Sequence, residues 1–259
     1  MTGRAVVITG AGSGIGAALA RRLAAAGDRL VLNDLDPDAV GAVAGSIGAL
    51  AVPGNAATED GVQELIERAR DELGTIDLFF ANAGIGVHGG PETPEDGWQR
   101  SWDVNVMAHV RAARLLVPDW LEAGRGHFIA TVSAAGLLTM PGSAPYAVTK
   151  HAALAFAEWM SVTYGHRGIT VQALCPQGVR TPMLEAAGPV GQLVLGAAAI
   201  DAEQLAEVVL TELDGGKFLI LPHPEVAGYY AGRAADPDAW LSRMRRGQDK
   251  IDAALGPNP

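Results

Sequence analysis

The chain has one cysteine, few basic residues and no long hydrophobic run, and each shortage excludes a class of protein. Because Cys175 has no partner in the chain, an internal disulfide is excluded, and a single thiol suits a reducing compartment. No apolar stretch approaches the roughly 20 residues of a membrane span. Residues 1–4 lead straight into an apolar run, so no signal peptide is expected. We therefore expect a cytoplasmic protein that does not cross a membrane.

Basic residues are outnumbered, with 19 Lys and Arg against 29 Asp and Glu and a net charge of −10. Nucleic-acid and anionic membrane surfaces need clustered Lys and Arg, so we expect neither kind of partner. The six histidines are scattered without the spacing of metal ligands, and we predict no metal site. Only His88 lies in a glycine-rich loop, residues 85–96, that is expected to border a ligand.

Strand-like and helix-like segments alternate along the whole chain, and apolar residues make up 49% of it, which is ample for a buried core. This alternation predicts an α/β fold, a doubly wound parallel sheet of about seven strands with helices on both faces. Because no repeat or low-complexity linker divides the chain, we predict one domain over residues 1–259. The apolar, loosely patterned segment 183–200 is interpreted as a substrate lid.

A glycine-rich turn, Thr-Gly-Ala-Gly-Ser-Gly-Ile-Gly over residues 9–16, joins an apolar strand to an alanine-rich helix. Such a turn lets the backbone approach a pyrophosphate, which the free N–H groups of the first helical turn then face. Asp34 ends the next apolar run, near the roughly 20-residue spacing at which an acidic residue reaches an adenosine ribose. Alternatively, Asp34 could be a turn or helix-capping aspartate. Because Asp34 lies at a strand end after a glycine turn, we favour contact with the ribose in a Rossmann-like dinucleotide site.

A second motif, Tyr146-Ala-Val-Thr-Lys150, puts a phenol and an ammonium one turn apart on the same face of a helix. Alone, such a pair is more often structural. Here Ser133 follows a strand and lies 13 residues before Tyr146, so its hydroxyl is expected to reach the same ligand crevice at the carboxyl ends of the strands. Asn105 is a polar residue in an otherwise apolar helical turn. Together these four residues form a candidate catalytic set.

These motifs, with Asn82-Ala83-Gly84 and Pro176 with Thr181, resemble the short-chain dehydrogenase/reductase family over about residues 5–185. The glycine spacing and the Tyr-x-x-x-Lys motif match its compact single-domain branch. The resemblance implies a nicotinamide cofactor, a small secondary alcohol or ketone as substrate, and a homodimer or homotetramer. The Asp34 carboxylate, which would repel the ribose phosphate of NADP, predicts that the cofactor is NAD. It implies catalytic roles for Asn105, Ser133, Tyr146 and Lys150. It implies cofactor contacts from Gly10, Ser13, Gly14, Ile15, Gly16, Asp34, Asn55, Ala56, Asn82, Gly84, Tyr146, Lys150, Pro176, Val179 and Thr181.

In this assignment Tyr146 is the general acid/base. Lowering a phenol pKa from ~10 by about three units needs roughly 4 kcal/mol. One positive charge at about 4 Å, with an effective dielectric near 20, supplies about that much, so Lys150 is expected to lower the pKa of Tyr146 largely by itself, with help from the cationic oxidised nicotinamide. Ser133 would hold the substrate oxygen. By resemblance, Lys150 also contacts the nicotinamide ribose, and Asn105 holds a water that relays the proton.

The chain departs from the family pattern at several positions. Ala81 replaces a usual Asn, Asn55 replaces the Asp that meets the adenine, and Gln177 replaces the glycine after Pro176. The usual C-terminal ending is replaced by a divergent extension, residues 222–259, in which Asp236-Pro237 predicts a helix start. Substrate fit and subunit packing in this region cannot be carried over.

We interpret the chain as an NAD-dependent alcohol dehydrogenase or ketone reductase for a fairly apolar secondary alcohol. Five side chains are expected to line the substrate pocket: Leu137, Leu138, Met140, Met183 and Leu184. One alternative is a nucleotide-sensing regulator without turnover, but a pure binder has no need of the Tyr146 base. Another is an acyl-carrier ketoreductase, which would need a basic patch for its acidic carrier.

Overall fold

Seven parallel strands form the centre of the structure, a computed structural model that describes residues 3–256. In chain order the strands are β1 (Ala5–Thr9), β2 (Arg29–Asp34), β3 (Leu50–Pro53), β4 (Leu78–Ala81), β5 (Gly126–Thr131), β6 (Ile169–Leu174), β7 (Val179–Arg180), β8 (Ile200–Asp201) and β9 (Leu219–Ile220). The spatial order of the main sheet is β3-β2-β1-β4-β5-β6-β9, and β7 and β8 form a separate pair. The predicted fold class is confirmed.

Twelve α-helices connect or follow these strands in the described part of the chain. They are α1 (Gly14–Ala25), α2 (Pro37–Ile47), α3 (Glu59–Leu73), α4 (Glu95–Trp102), α5 (Ala108–Ala123), α6 (Ala134–Leu137), α7 (Ala144–Tyr164), α8 (Pro182–Glu185), α9 (Gly188–Gly191), α10 (Ala202–Glu212), α11 (Glu225–Ala235) and α12 (Pro237–Leu255). None of the helices in residues 3–256 is both long and apolar enough to span a bilayer.

The strands are buried on both faces, which is why they read as continuous apolar runs. Successive side chains point to opposite faces, so Phe79 packs with one helical layer and Phe80 with the other. Helices α3, α5 and α7 cover the first face, and α1, α2 and α10 cover the second. The connections reverse direction between β1 and β4. A crevice for a ligand is expected at the carboxyl ends of these two strands.

Local signals placed several elements correctly. Helix α2 begins after Asp36, whose carboxylate accepts the N–H groups of Asp38 and Ala39, and it ends at Gly48 in the left-handed conformation. The sequence pattern predicts a helix over 144–164, and α7 has this range. It also predicts one long helix over roughly 96–122, and the helical residues run from Glu95 to Ala123, but the five residues 103–107 form a π-helical segment within them.

The C-terminal third differs most from the sequence-based expectation. The sequence pattern predicts a strand over 217–221, but β9 has only two residues, Leu219–Ile220. Helix α11 was not predicted, although the helix starting at Asp236-Pro237 was. The segment interpreted as a lid folds into α8, α9, a π-helical turn over 192–196 and β8. Its role as a lid stays a prediction.

Candidate active site

The glycine-rich turn packs so tightly that side chains would not fit. Gly10 has a φ of 65°, and a Cβ there would lie 2.9 Å from the Ala83 Cα. A Cβ at Gly14, with a φ of 50°, would lie 2.9 Å from a Thr181 methyl group. At Gly16 a Cβ would lie 2.1 Å from the Gly10 carbonyl oxygen, so this glycine permits close packing of helix against strand. The turn can therefore bring its backbone N–H groups up to a pyrophosphate.

Asp34 lies beside this turn at the end of β2. Its carboxylate accepts the N–H of Gly12 at 2.8 Å and the N–H of Asp36 at 3.1 Å. These two backbone donors fix the orientation of the carboxylate. The half-buried Asp34 and the exposed Leu35 border the same crevice as the glycines. This donor and acceptor set fits the adenosine end of a nicotinamide dinucleotide.

Asn82 ties three strands together at the crevice. Its side-chain amide donates to the carbonyl oxygens of Thr9 and Gly10, at 2.9 and 3.2 Å, and its Oδ1 accepts from the Thr131 hydroxyl at 3.1 Å. The Asn82 and Ala83 N–H groups donate to the Thr9 hydroxyl, both at 3.0 Å. Asn82 therefore fixes the glycine turn and also borders the crevice.

Ser133, Tyr146 and Lys150 meet in the crevice, as the spacing predicted. Ser133 follows β5 and caps α6, where its Oγ accepts the Ala135 N–H at 3.1 Å. Tyr146 and Lys150 lie on α7, and the Lys150 Nζ is 5.6 Å from the centroid of the Tyr146 ring. The Lys150 ammonium is 3% exposed and donates to the Thr131 carbonyl oxygen at 2.8 Å.

Burial controls the ionisation of both α7 groups. Burial raises the pKa of Tyr146 above its ordinary value, although its interaction with the Ser133 side chain lowers it. Burial also lowers the pKa of Lys150 to about 8. Desolvation is the largest cause, so the direction of the Tyr146 pKa shift among the protein's own groups is opposite to the one expected from the Lys150 charge. Tuning by Lys150 together with the cationic oxidised nicotinamide stays a prediction.

Asn105 lies in the π-helical segment and is fully buried. Its amide donates to the Ile85 carbonyl oxygen at 3.0 Å and accepts the Ile85 N–H at 2.9 Å. It also donates to the Thr149 hydroxyl at 3.1 Å. The Asn105 side chain therefore holds the backbone that follows β4 and does not line the crevice.

The glycine turn, Asp34 and the residues Ser133, Tyr146 and Lys150 border one large cavity of about 1030 Å³ at the carboxyl ends of the strands. All of the predicted cofactor residues line it except Gly16, whose part is packing. They are Gly10, Ser13, Gly14, Ile15, Asp34, Asn55, Ala56, Asn82, Gly84, Tyr146, Lys150, Pro176, Val179 and Thr181. His88 also borders the cavity, whereas His109 and His223 are buried. Across residues 3–256, no three His, Cys, Asp or Glu side chains group as metal ligands would.

The substrate end of the cavity was predicted only in part. Four of the expected side chains line it: Leu138, Met140, Met183 and Leu184. Leu137 does not, because it is 1% exposed and packs in the core. The C-terminal helices supply a wall that sequence analysis missed, consisting of Tyr229, Trp240, Met244, Gly247, Lys250, Ile251 and Ala254. The three- and four-residue spacing from Trp240 to Ala254 could have indicated one inward helical face.

Comparison with known proteins agrees with this geometry. A profile of the short chain dehydrogenase family matches residues 4–190. A 1-deoxy-11-beta-hydroxypentalenate dehydrogenase from Streptomyces exfoliatus is 38% identical over 232 residues, which cover 86% of this chain and 84% of the relative. A 2,5-dichloro-2,5-cyclohexadiene-1,4-diol dehydrogenase from Sphingobium indicum is 33% identical over 72% of this chain and 77% of its own. A short-chain dehydrogenase structure from Burkholderia phymatum, in complex with NAD, superposes with a TM-score of 0.86. It is 28% identical and covers 92% of this chain and 95% of that chain.

Fold, cavity and relatives together define a nicotinamide-dependent oxidoreductase. The chain belongs to the short-chain dehydrogenase/reductase family. The relatives named above are dehydrogenases, so the comparisons favour an enzyme over a regulator without turnover.

Proposed function

We propose that this enzyme uses NAD(H) to interconvert a fairly apolar secondary alcohol and its ketone, with Tyr146 as general acid/base. The observation that carries the proposal is the convergence of Ser133, Tyr146 and Lys150 in a cavity that also reaches Asp34. The glycine turn and Asp34 would hold the adenosine and pyrophosphate of the cofactor, and the bound nicotinamide would supply or accept the hydride.

In oxidation, the Ser133 hydroxyl holds the alcohol oxygen while Tyr146 removes its proton, and in reduction Tyr146 returns it. Lys150, anchored to the Thr131 carbonyl, offers its positive charge to the phenolate and its other protons to the nicotinamide ribose. Since burial raises the Tyr146 pKa, the cationic ring of the oxidised cofactor, when bound, would help to stabilise the phenolate. Asn105 acts as a positioning residue for the backbone at Ile85, and its part in a water relay stays a prediction.

A bulky ring system fits the substrate end better than a short alcohol does. The wall from α11, α12 and the 183–200 segment is built of Tyr229, Trp240, Met244, Leu193 and Val194, with few charges. Two relatives named for hydroxylated substrates, a hydroxypentalenate and a cyclohexadiene diol, support this class. The acidic chain offers no support for an acyl-carrier substrate.

We expect the enzyme to oxidise a fused-ring secondary alcohol at a kcat/KM at least tenfold above that for 2-propanol. Trp240→Ala should raise KM for the large alcohol several-fold and change that for 2-propanol little, because only the large substrate reaches the α12 wall. NADH absorbance over a panel of alcohols measures both. Leu241→Ala is the matched control, since Leu241 is half-exposed and outside the cavity. Equal loss for both alcohols in Trp240→Ala would contradict this placement of the substrate.

We further propose that the enzyme is a homodimer or homotetramer in the cytoplasm. Helix α7 exposes an apolar stripe, with Trp159 55% and Val162 81% exposed and Val148 and Ala155 on the same side. A second copy of the chain would cover this stripe by symmetric packing. Light scattering at micromolar concentration should give at least twice the monomer mass, and Val162→Asp should lower it. A wild-type monomer would exclude the proposal.

A further inference from the structure

The loop over residues 176–178 follows β6 and borders the cavity beside Ser133. Each of its residues is anchored by a different part of the chain. The Pro176 carbonyl oxygen accepts the Ala134 N–H at 2.7 Å and the Ser133 hydroxyl at 3.4 Å. The Gly178 carbonyl oxygen accepts the Ile200 N–H at 3.1 Å. The loop is therefore directly connected to the residue that would hold the substrate oxygen.

The middle residue, Gln177, is anchored by the divergent C-terminal extension. Its backbone N–H donates to the Nδ1 of His223 at 3.2 Å, and its side-chain amide donates to Glu225 at 2.8 Å. His223 lies between β9 and α11 and is 4% exposed, whereas Glu225 is exposed. The inner anchor is thus a buried hydrogen bond to the imidazole, and the outer one is a surface contact.

The hydrogen bond fixes the tautomer of the His223 ring. Because Nδ1 accepts the Gln177 N–H, the ring proton is placed on Nε2. The Nε2 atom is buried and has no hydrogen-bond partner within residues 3–256. A buried unpaired polar atom is unfavourable, and a leucine would fill this space without it. What a leucine cannot supply is the acceptor for Gln177, which indicates that this acceptor is the useful part of the imidazole.

We propose that His223 is a positioning residue of the active site, acting through the Gln177 N–H to fix the 176–178 loop. The loop in turn places the Pro176 carbonyl against Ser133, and it leads into Val179 and Thr181, two of the proposed cofactor contacts. The C-terminal extension therefore does more than form the substrate wall, since it also sets the loop between substrate and cofactor. This inference rests on the proposed function.

Three variants at one position test the acceptor itself. Asparagine places its Oδ1 where the imidazole has Nδ1, whereas glutamine places its oxygen one bond further out and leucine has no acceptor. We expect His223→Leu and His223→Gln to lower kcat at least tenfold and to weaken NADH binding at least fivefold. His223→Asn should stay within about threefold of wild type in both. NADH affinity is measured by fluorescence titration, and kcat with saturating cofactor and alcohol.

The matched control is Glu225→Ala, which removes the surface contact of Gln177 and leaves the buried hydrogen bond in place. It should stay within threefold of wild type in kcat and NADH affinity. Wild-type values in His223→Leu, or equal losses in His223→Asn and His223→Leu, would overturn the proposal. Thermal melting of each variant identifies losses of kcat or NADH affinity that come from unfolding. If His223→Leu does not fold, His223→Gln takes its place in the comparison with His223→Asn. Because NADH binding is read without turnover, the test stands even if no alcohol in the panel is a substrate.

Discussion

Tyr146→Phe should lower kcat by at least ~10²-fold and up to ~10⁴-fold, the usual contribution of a general acid–base group. The change removes one oxygen from a side chain whose ring stays packed on α7 beside Lys150. Folding and NADH affinity should therefore persist. The measurement is kcat for alcohol oxidation with saturating cofactor, together with NADH affinity by fluorescence titration.

Tyr164→Phe is the matched control, because this tyrosine ends the same helix and packs edge-on against Trp159, away from the cavity. It should retain the wild-type kcat. If Tyr146→Phe keeps more than a tenth of the wild-type kcat, another group carries the proton and the assignment of the base is wrong.

The parts of the site that sequence predicted are those in which local chemistry determines geometry. The predicted strand, tight glycine turn and helix are present over β1, residues 9–16 and α1, and the binding of a pyrophosphate by this turn stays a prediction. The four-residue spacing of Tyr146 and Lys150 fixes their relation on any helix. Ser133 needed one further step, the rule that parallel strands present their carboxyl ends at a common edge.

The parts that sequence missed depend on contacts between distant segments. The spacing from Trp240 to Ala254 indicates one inward face of α12, but it does not show that this face lies over the cavity. The same holds for His223, whose partner Gln177 lies 46 residues earlier. Gln177 departs from the family pattern, and in the structure His223 and Glu225 of the divergent extension hydrogen-bond to it. Departures at two separate places in a sequence can thus form one contact.

The direction of the Tyr146 pKa shift could not be predicted from the sequence. A charge at about 4 Å from the phenol was expected to lower its pKa, and the pair of residues is in place. Burial of both groups works in the opposite direction, raising the pKa of Tyr146 and lowering that of Lys150 to about 8. Sequence spacing gives the distance between two charges but not their desolvation, which here decides the sign of the pKa shift.

Cofactor choice is the second large effect that we expect. The carboxylate of Asp34 is held by the N–H groups of Gly12 and Asp36 and borders the cavity, where it can accept the adenosine ribose hydroxyls. In NADP a phosphate replaces one of these hydroxyls. A unit charge at about 4 Å, with a dielectric near 20, costs roughly 4 kcal/mol, which is near a thousandfold in binding. Of the residues that line the cavity, only Lys150 and Lys250 are Lys or Arg, and neither neighbours Asp34 in sequence.

We therefore expect kcat/KM for NAD to exceed that for NADP by at least about a hundredfold, after a discount for solvent around the half-buried Asp34. Combining Asp34→Ser with Leu35→Arg removes the repulsion and adds a cation at an exposed position of the same crevice, so the ratio should narrow or reverse.

Asp36→Asn is the matched control, because Asp36 caps α2 nearby but does not line the cavity. It should leave the ratio unchanged, since its charge does not face the ribose. Initial rates with each cofactor give the ratio directly. Similar efficiencies of NAD and NADP in the wild-type enzyme would show that the Asp34 carboxylate does not meet the ribose.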